Sequence, residues 1–272
     1  MTDGTEKAFR PDKNIEELRR KTAFICDMDG VIYHGSRLLD GVQHFVEWLQ
    51  RDGKNFIFLT NSSERSPREL RQRLARMKLE VDESHFYTSA LATADFLARQ
   101  SPGAGVYAIG ESGLLNALYD SGLTMNDVDP EYVVVGETRS YNYEKLERAV
   151  HLIRTRGAKL VGTNPDPTGP GECGIVPACG SLVKPIEMSS GVNAYFVGKP
   201  NPLMMRHALK RLDALREDTA IIGDRMDTDI IAGVESEIET VLVLSGVTDR
   251  ADLVHFAYRP GYVLSGVGEI PG

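Results

Sequence analysis

Short apolar runs alternate along this chain with stretches of helical period, and that alternation leaves few folds open. "TAFICD" (22–27), "NFIFLTN" (55–61), "TAIIGD" (219–224) and "TVLVLS" (240–245) are apolar through their centres, as strands buried on both faces are. Between them, "GVQHFVEWLQRDG" (41–53) reads as an amphipathic helix closed by a glycine, with Trp48 on its apolar face. "SPRELRQRLARMKL" (66–79) opens with Ser66 as N-cap and Pro67 at the first helical position. Residues 88–100, 201–215 and 226–235 read as further helices. Strand, helix, strand in this order implies parallel pairing through right-handed crossovers. The expectation is an α/β fold on a Rossmann-like parallel sheet.

The apolar runs share an abrupt polar end: Asp27, Thr60 with Asn61, Lys199 after "AYFVGK" (194–199), and Asp224. Ligands of open parallel sheets bind at the carboxyl ends of the strands. If these four strands are neighbours, their end groups converge, and a divalent cation among the carboxylates removes their repulsion. The interval from Thr60 to Lys199 is far longer than one crossover needs, and it carries its own alternation: "GVYAIG" (105–110), a helix 111–121, "YVVVGE" (132–137), a helix 143–155 and "AKLVGT" (158–163). Residues 1–101 and 193–272 are therefore expected to form one core, with a smaller α/β domain, 102–192, inserted as a cap.

Bulk properties narrow the partners. A net charge of −8 over 272 residues argues against binding a nucleic-acid polymer. No apolar run is long enough to span a bilayer, and "MTDGTEKAFRPDKN" lacks an apolar signal core, so no membrane association is expected. Cys26, Cys173 and Cys179 form no CxxC pair and read as small buried hydrophobes in a reducing cytoplasm. The six histidines show no paired metal spacing, and "GPGECG" (169–174) is not a P-loop. Self-association is left open.

"DMDGV" (27–31), "LTN" (59–61), "VGKP" (197–200) and "GDRMDTD" (223–229) together resemble, in order, the four motifs of haloacid-dehalogenase-superfamily phosphatases. The insertion lies where that superfamily carries its C2-type cap. "TSALATADFL" (88–97), "VVVGETRSYNYEKL" (133–146) and "GTNPDPTG" (162–169) are similar to the NagD-type nucleotide phosphatases. Any one motif is weak, but the resemblance covers nearly the whole chain. It implies a Mg²⁺-dependent phosphatase of small phosphorylated metabolites, with nucleoside monophosphates favoured. Sugar phosphates, phosphoglycolate or pyridoxal phosphate are the alternative substrates.

The resemblance also implies roles. Asp27 becomes the nucleophile that forms an aspartyl-phosphate. Asp29 becomes the acid–base group, its backbone carbonyl also on the metal. Asp224 completes the protein's metal ligands, and Lys199 steadies Asp27 and the developing charge. Thr60 and Asn61 bind phosphate oxygens. Two readings of Asp229 stand: an acid that holds metal waters or Lys199, or a helix N-terminal carboxylate stabilised by the dipole. Arg225, Met226, Asp227 and Thr228 lie at that helix start and could donate backbone N–H groups to phosphate. In the cap, Asn164 and Asp166 either read the leaving group or close a turn on their own backbone. Arg139 and Tyr141 are the second choice for substrate contact. Two other classes are weighed against this one. A carbon–halogen hydrolase needs neither Asp29 nor a metal. A non-catalytic binding protein does not need Asp27, Asp29, Thr60, Lys199 and Asp224 together.

Overall fold

The structure is a computed structural model and describes residues 13–171 and 174–272. The N-terminal residues 1–12 and Cys173, both interpreted above, lie outside the described residues. A six-stranded sheet runs in the order Tyr262–Leu264, Glu239–Val243, Thr219–Gly223, Ala23–Cys26, Asn55–Thr60, Phe86–Thr88. Every pairing in it is parallel. The two central strands, "AFIC" and "TAIIG", are buried at every position, which is why their sequences do not alternate. The register aligns Cys26 with Phe58 on one side and Ile222 on the other, so neighbouring strands leave the sheet at one level.

Helices cover both faces. Val42–Arg51 turns Phe45, Val46, Trp48 and Leu49 inward, and the Trp48 ring meets Phe24 edge-on at 5.4 Å. Burying one such side chain contributes roughly 2–3 kcal/mol. Pro67–Arg76 begins with a complete capping box between Ser66 and Glu69.

A second sheet, of five parallel strands, runs Tyr195–Phe196, Lys159–Gly162, Tyr132–Val135, Gly105–Ile109, Thr124–Met125. One expectation is corrected here. The run 194–199 is not a strand of the first sheet. Only Tyr195–Phe196 pairs, and it pairs with Val161 and Gly162 of the second. Gly198 N–H then donates to the Thr163 carbonyl at 2.8 Å, so Lys199 arrives at the first sheet from the edge of the second. One apolar cluster runs unbroken between the sheets, from Ile25, Ile57 and Leu59 to Val106, Val134 and Val161. Cys26 and Cys179 are buried free thiols in two other apolar clusters, one on each sheet. Among the described residues, no helix is long and apolar enough to cross a membrane.

Candidate active site

Asp27 follows the last residue of its strand, and its N–H donates to the Ile222 carbonyl at 2.8 Å. Asp224 follows Thr219–Gly223 next door, and Asp229 comes back toward it from a π-helical turn, Met226–Ile230. One oxygen from each of Asp27, Asp224 and Asp229 can be chosen so that all three lie within 4.8 Å of one another. Lys199 Nζ donates to Asp27 Oδ1 in a short contact and to Asp229 Oδ1 at 2.6 Å. Lys199, Asp224 and Asp229 are almost fully buried.

Glycines make this crowding feasible. Gly30 sits at φ +78°, and a Cβ there would lie 2.4 Å from Asp224 Oδ2. A Cβ on Gly246 would overlap the same oxygen at 2.0 Å. Asp224 Oδ2 accepts from Val247 N–H at 2.7 Å, and Asp229 Oδ2 from Arg225 N–H at 3.2 Å.

The electrostatics are those of like charges held together. Burial first, then Asp229 and Asp224, push the Asp27 carboxyl well above its ordinary range, while Lys199 opposes them. Burial and Asp229 push Asp224 up to about 7. Burial works against the charge on Lys199, yet Asp229 and Asp27 hold it above the usual lysine range. Burial also raises Asp29, which stands outside the triad; Arg73, Tyr33, Arg65 and His34 lower it in part. Three carboxylates against one lysine leave an excess of hard oxygen donors, the set that suits Mg²⁺. The group contains no histidine.

The expected phosphate ligands sit at the next strand end. Thr60 is buried, and its Oγ1 accepts from Ser62 N–H at 3.1 Å. Asn61 reaches sideways: its amide donates to Asp166 Oδ2 (2.8 Å) and to the Lys199 carbonyl (2.9 Å), while its Oδ1 accepts from Lys199 N–H (2.8 Å). Asn61 therefore fixes the segment that delivers Lys199.

Several expectations change. Asn164 is completely buried and donates to the Asn61 carbonyl at 2.6 Å and to Glu137 Oε1 at 2.5 Å. It has no surface left for a leaving group. Asp166 uses one oxygen on Asn61 and the other on Arg225 Nη1 at 3.4 Å. The backbone N–H groups of Arg225 and Met226 are already taken, by Asp229 Oδ2 and Thr248 Oγ1, so neither is free for phosphate. Met226 lies in an apolar cluster, and Asp227 holds the Arg225 guanidinium at 2.8 and 3.0 Å. Thr228 is buried. Tyr141 donates to the Leu182 carbonyl at 2.8 Å within the second sheet's core, whereas Arg139 remains exposed. Glu137 is a further residue at this junction, and its signal in the sequence is that "YVVVGE" ends in a carboxylate, as the runs before Asp27 and Asp224 do.

Residues 24–124 match the family model of haloacid dehalogenase-like hydrolases, and residues 196–270 match that of HAD-hydrolase-like proteins. The chain is 42% identical over 248 residues to dihydroxyacetone phosphatase of Corynebacterium glutamicum, covering 91% of this chain and 90% of that one. It is 42% identical over 246 residues to the ribonucleotide monophosphatase NagD of Escherichia coli, covering 90% and 96%. Acid sugar phosphatase of Staphylococcus saprophyticus is 38% identical over 254 residues, covering 93% and 98%. The solved structure of E. coli NagD superposes with a TM-score of 0.87 at 41% identity, over 92% of this chain and 98% of that one. With the carboxylates Asp27, Asp224 and Asp229 gathered at one sheet edge and these matches along nearly its whole length, the chain belongs to the haloacid dehalogenase-like hydrolases and is a phosphatase of the NagD type.

Proposed function

We propose that this protein is a Mg²⁺-dependent cytoplasmic phosphatase that hydrolyses small phosphomonoesters, nucleoside monophosphates first among them, through an aspartyl-phosphate on Asp27. The observation that carries the reading is Lys199 Nζ bound at once to Asp27 and Asp229 beside Asp224. Such a site neutralises a nucleophilic carboxylate enough for it to approach a phosphate dianion.

Asp27 would attack phosphorus while the ester P–O bond breaks, and Asp29 would give its proton to the departing oxygen. The raised Asp29 carboxyl supports a proton being there to give. Water would then open the acyl phosphate, with Asp29 taking its proton back. The Thr60 hydroxyl and Asn61 backbone N–H are the expected holders of the transferred phosphate oxygens. Asp27, Asp224, Asp229 and the Asp29 backbone carbonyl are the candidates to hold Mg²⁺. When bound, the ion supplies positive charge to the phosphate and the carboxylates.

The nucleotide preference rests on the NagD relative. Equal identity to a dihydroxyacetone phosphatase supports a second reading, a three-carbon or sugar phosphate. The test is kcat/KM across AMP, UMP, dihydroxyacetone phosphate, glycerol phosphate and ribose phosphate at fixed Mg²⁺. Nucleotides ranking below every triose and sugar ester would replace the first reading with the second.

A further inference from the structure

Glu137 follows the strand Tyr132–Val135 of the second sheet and reaches into the loop that leaves Asn55–Thr60 of the first. Its Oε2 accepts from Ser63 N–H at 3.0 Å and, in a short contact, from the Ser63 hydroxyl. Its Oε1 accepts from Asn164 Nδ2 at 2.5 Å, and its own N–H donates to Ser63 Oγ at 3.1 Å. Ser63 and Asn164 are both completely buried. The backbone approach is equally close, since a Cβ on Gly136 would stand 2.5 Å from Ser63 Oγ. Asn164 Nδ2 continues the chain of contacts to the Asn61 carbonyl at 2.6 Å.

Among the described residues, Glu137 forms no salt bridge. Burial pushes its carboxyl up, with the hydrogen bonds from Ser63 and Asn164 pulling the other way. A half-buried carboxylate without a cation is costly, so its presence needs a reason. The reason is in the donors. Ser63 N–H, Ser63 O–H and an Asn164 N–H converge on it, and only an ionised carboxylate offers acceptors alone in both directions. A glutamine would turn its NH₂ either on Ser63 N–H or on Asn164 NH₂.

We propose that Glu137 is a positioning residue for the reaction: through Ser63 and Asn164 it fixes the Asn61 backbone, the expected holder of the transferred phosphate. This inference rests on the phosphatase reading above. Glu137 touches neither phosphate nor the carboxylate triad. Its loss should therefore weaken phosphate contacts and leave metal binding alone.

The experiment compares wild type, Glu137→Gln and Ser63→Ala on 4-nitrophenyl phosphate with Mg²⁺. It reads kcat/KM, the inhibition constant of orthovanadate and the half-activating Mg²⁺ concentration, with circular dichroism to score folding. Glu137→Gln should lose about 10- to 100-fold in kcat/KM, with a comparable rise in the vanadate constant and unchanged Mg²⁺ activation. Ser63→Ala, a milder change and the variant that decides if Glu137→Gln does not fold, should shift the vanadate constant about 3- to 10-fold. A folded variant with wild-type vanadate affinity and kcat/KM overturns the inference, even if its melting temperature falls. Wild type without any phosphatase activity would instead overturn the reading beneath it.

Discussion

The carboxyl edges of the two sheets face each other, and both are polar, but their polar groups do different work. At the first sheet, Asp27, Asp224 and Asp229 crowd around one lysine, and burial raises the carboxyls of Asp27 and Asp224. At the second, Glu137, Asn164 and Asp166 are bound to Ser63, the Asn61 carbonyl, the Asn61 amide and Arg225. The first edge stores electrostatic cost that a ligand can relieve. The second edge is already satisfied. Unrelieved like charge points to chemistry, whereas completed hydrogen bonding points to support, and the residue types alone do not distinguish them.

The sharpest break of this comparison is at the nucleophile. Asp27→Asn should lower turnover by on the order of 10⁴-fold or more on every substrate. A folded variant turning over at the wild-type rate removes Asp27 from that role. Next is Asp29→Asn, with an expected loss of roughly 10²–10⁴-fold. The loss should be smaller on aryl phosphates, whose leaving groups need less protonation. Equal losses on alkyl and aryl esters would deny Asp29 the acid role.

The stored cost should be visible as a pH dependence of stability without metal. Asp224 rises from 3.8 to about 7 in the folded protein, so the folded state holds a proton that the unfolded chain releases. The stability this confers is fully present below about pH 4 and is lost as pH rises through about 7. Metal-free protein should therefore lose on the order of a few kcal/mol between pH 5 and 8. Saturating Mg²⁺ should flatten the curve, because it favours the ionised form. Thermal melts with EDTA and with Mg²⁺ measure this, and a flat EDTA curve would mean the triad carries no such cost.

The smallest effect is expected on the satisfied side. Asn164→Ala leaves the Asn61 carbonyl and Glu137 each short of a donor, at a cost of about 1–3 kcal/mol in stability. It should lower kcat/KM by one common factor, about 10-fold, across phosphomonoesters. A changed ranking among substrates would return Asn164 to leaving-group recognition.

Much of the first sheet was legible because strands buried on both faces read as unbroken apolar runs. Their sudden polar ends marked Asp27, Thr60 and Asp224 without any coordinates. "AYFVGK" reads the same way, but local pattern does not say which sheet a strand joins, and this one pairs with Lys159–Gly162. The helix Cys179–Ser190 has no clear pattern in the sequence because Gly180 and Pro185 interrupt its signal; tertiary packing of Cys179, Val183 and Ile186 overrides them. The polar, turn-rich loop "GTNPDPTG" suits leaving-group contact as well as a turn on its own backbone, and local pattern does not choose between them. Its Asn164 is buried because the end of Asn55–Thr60, far away in sequence, closes over it.

The central claim is that the carboxylates converge in order to hold a divalent cation. Its most direct measurement is phosphate release by metal-stripped protein titrated with Mg²⁺. The account predicts silence in EDTA, recovery that saturates with Mg²⁺, and little support from Ca²⁺, whose larger and looser coordination fits the triad poorly. Full activity in rigorously metal-free buffer would contradict it.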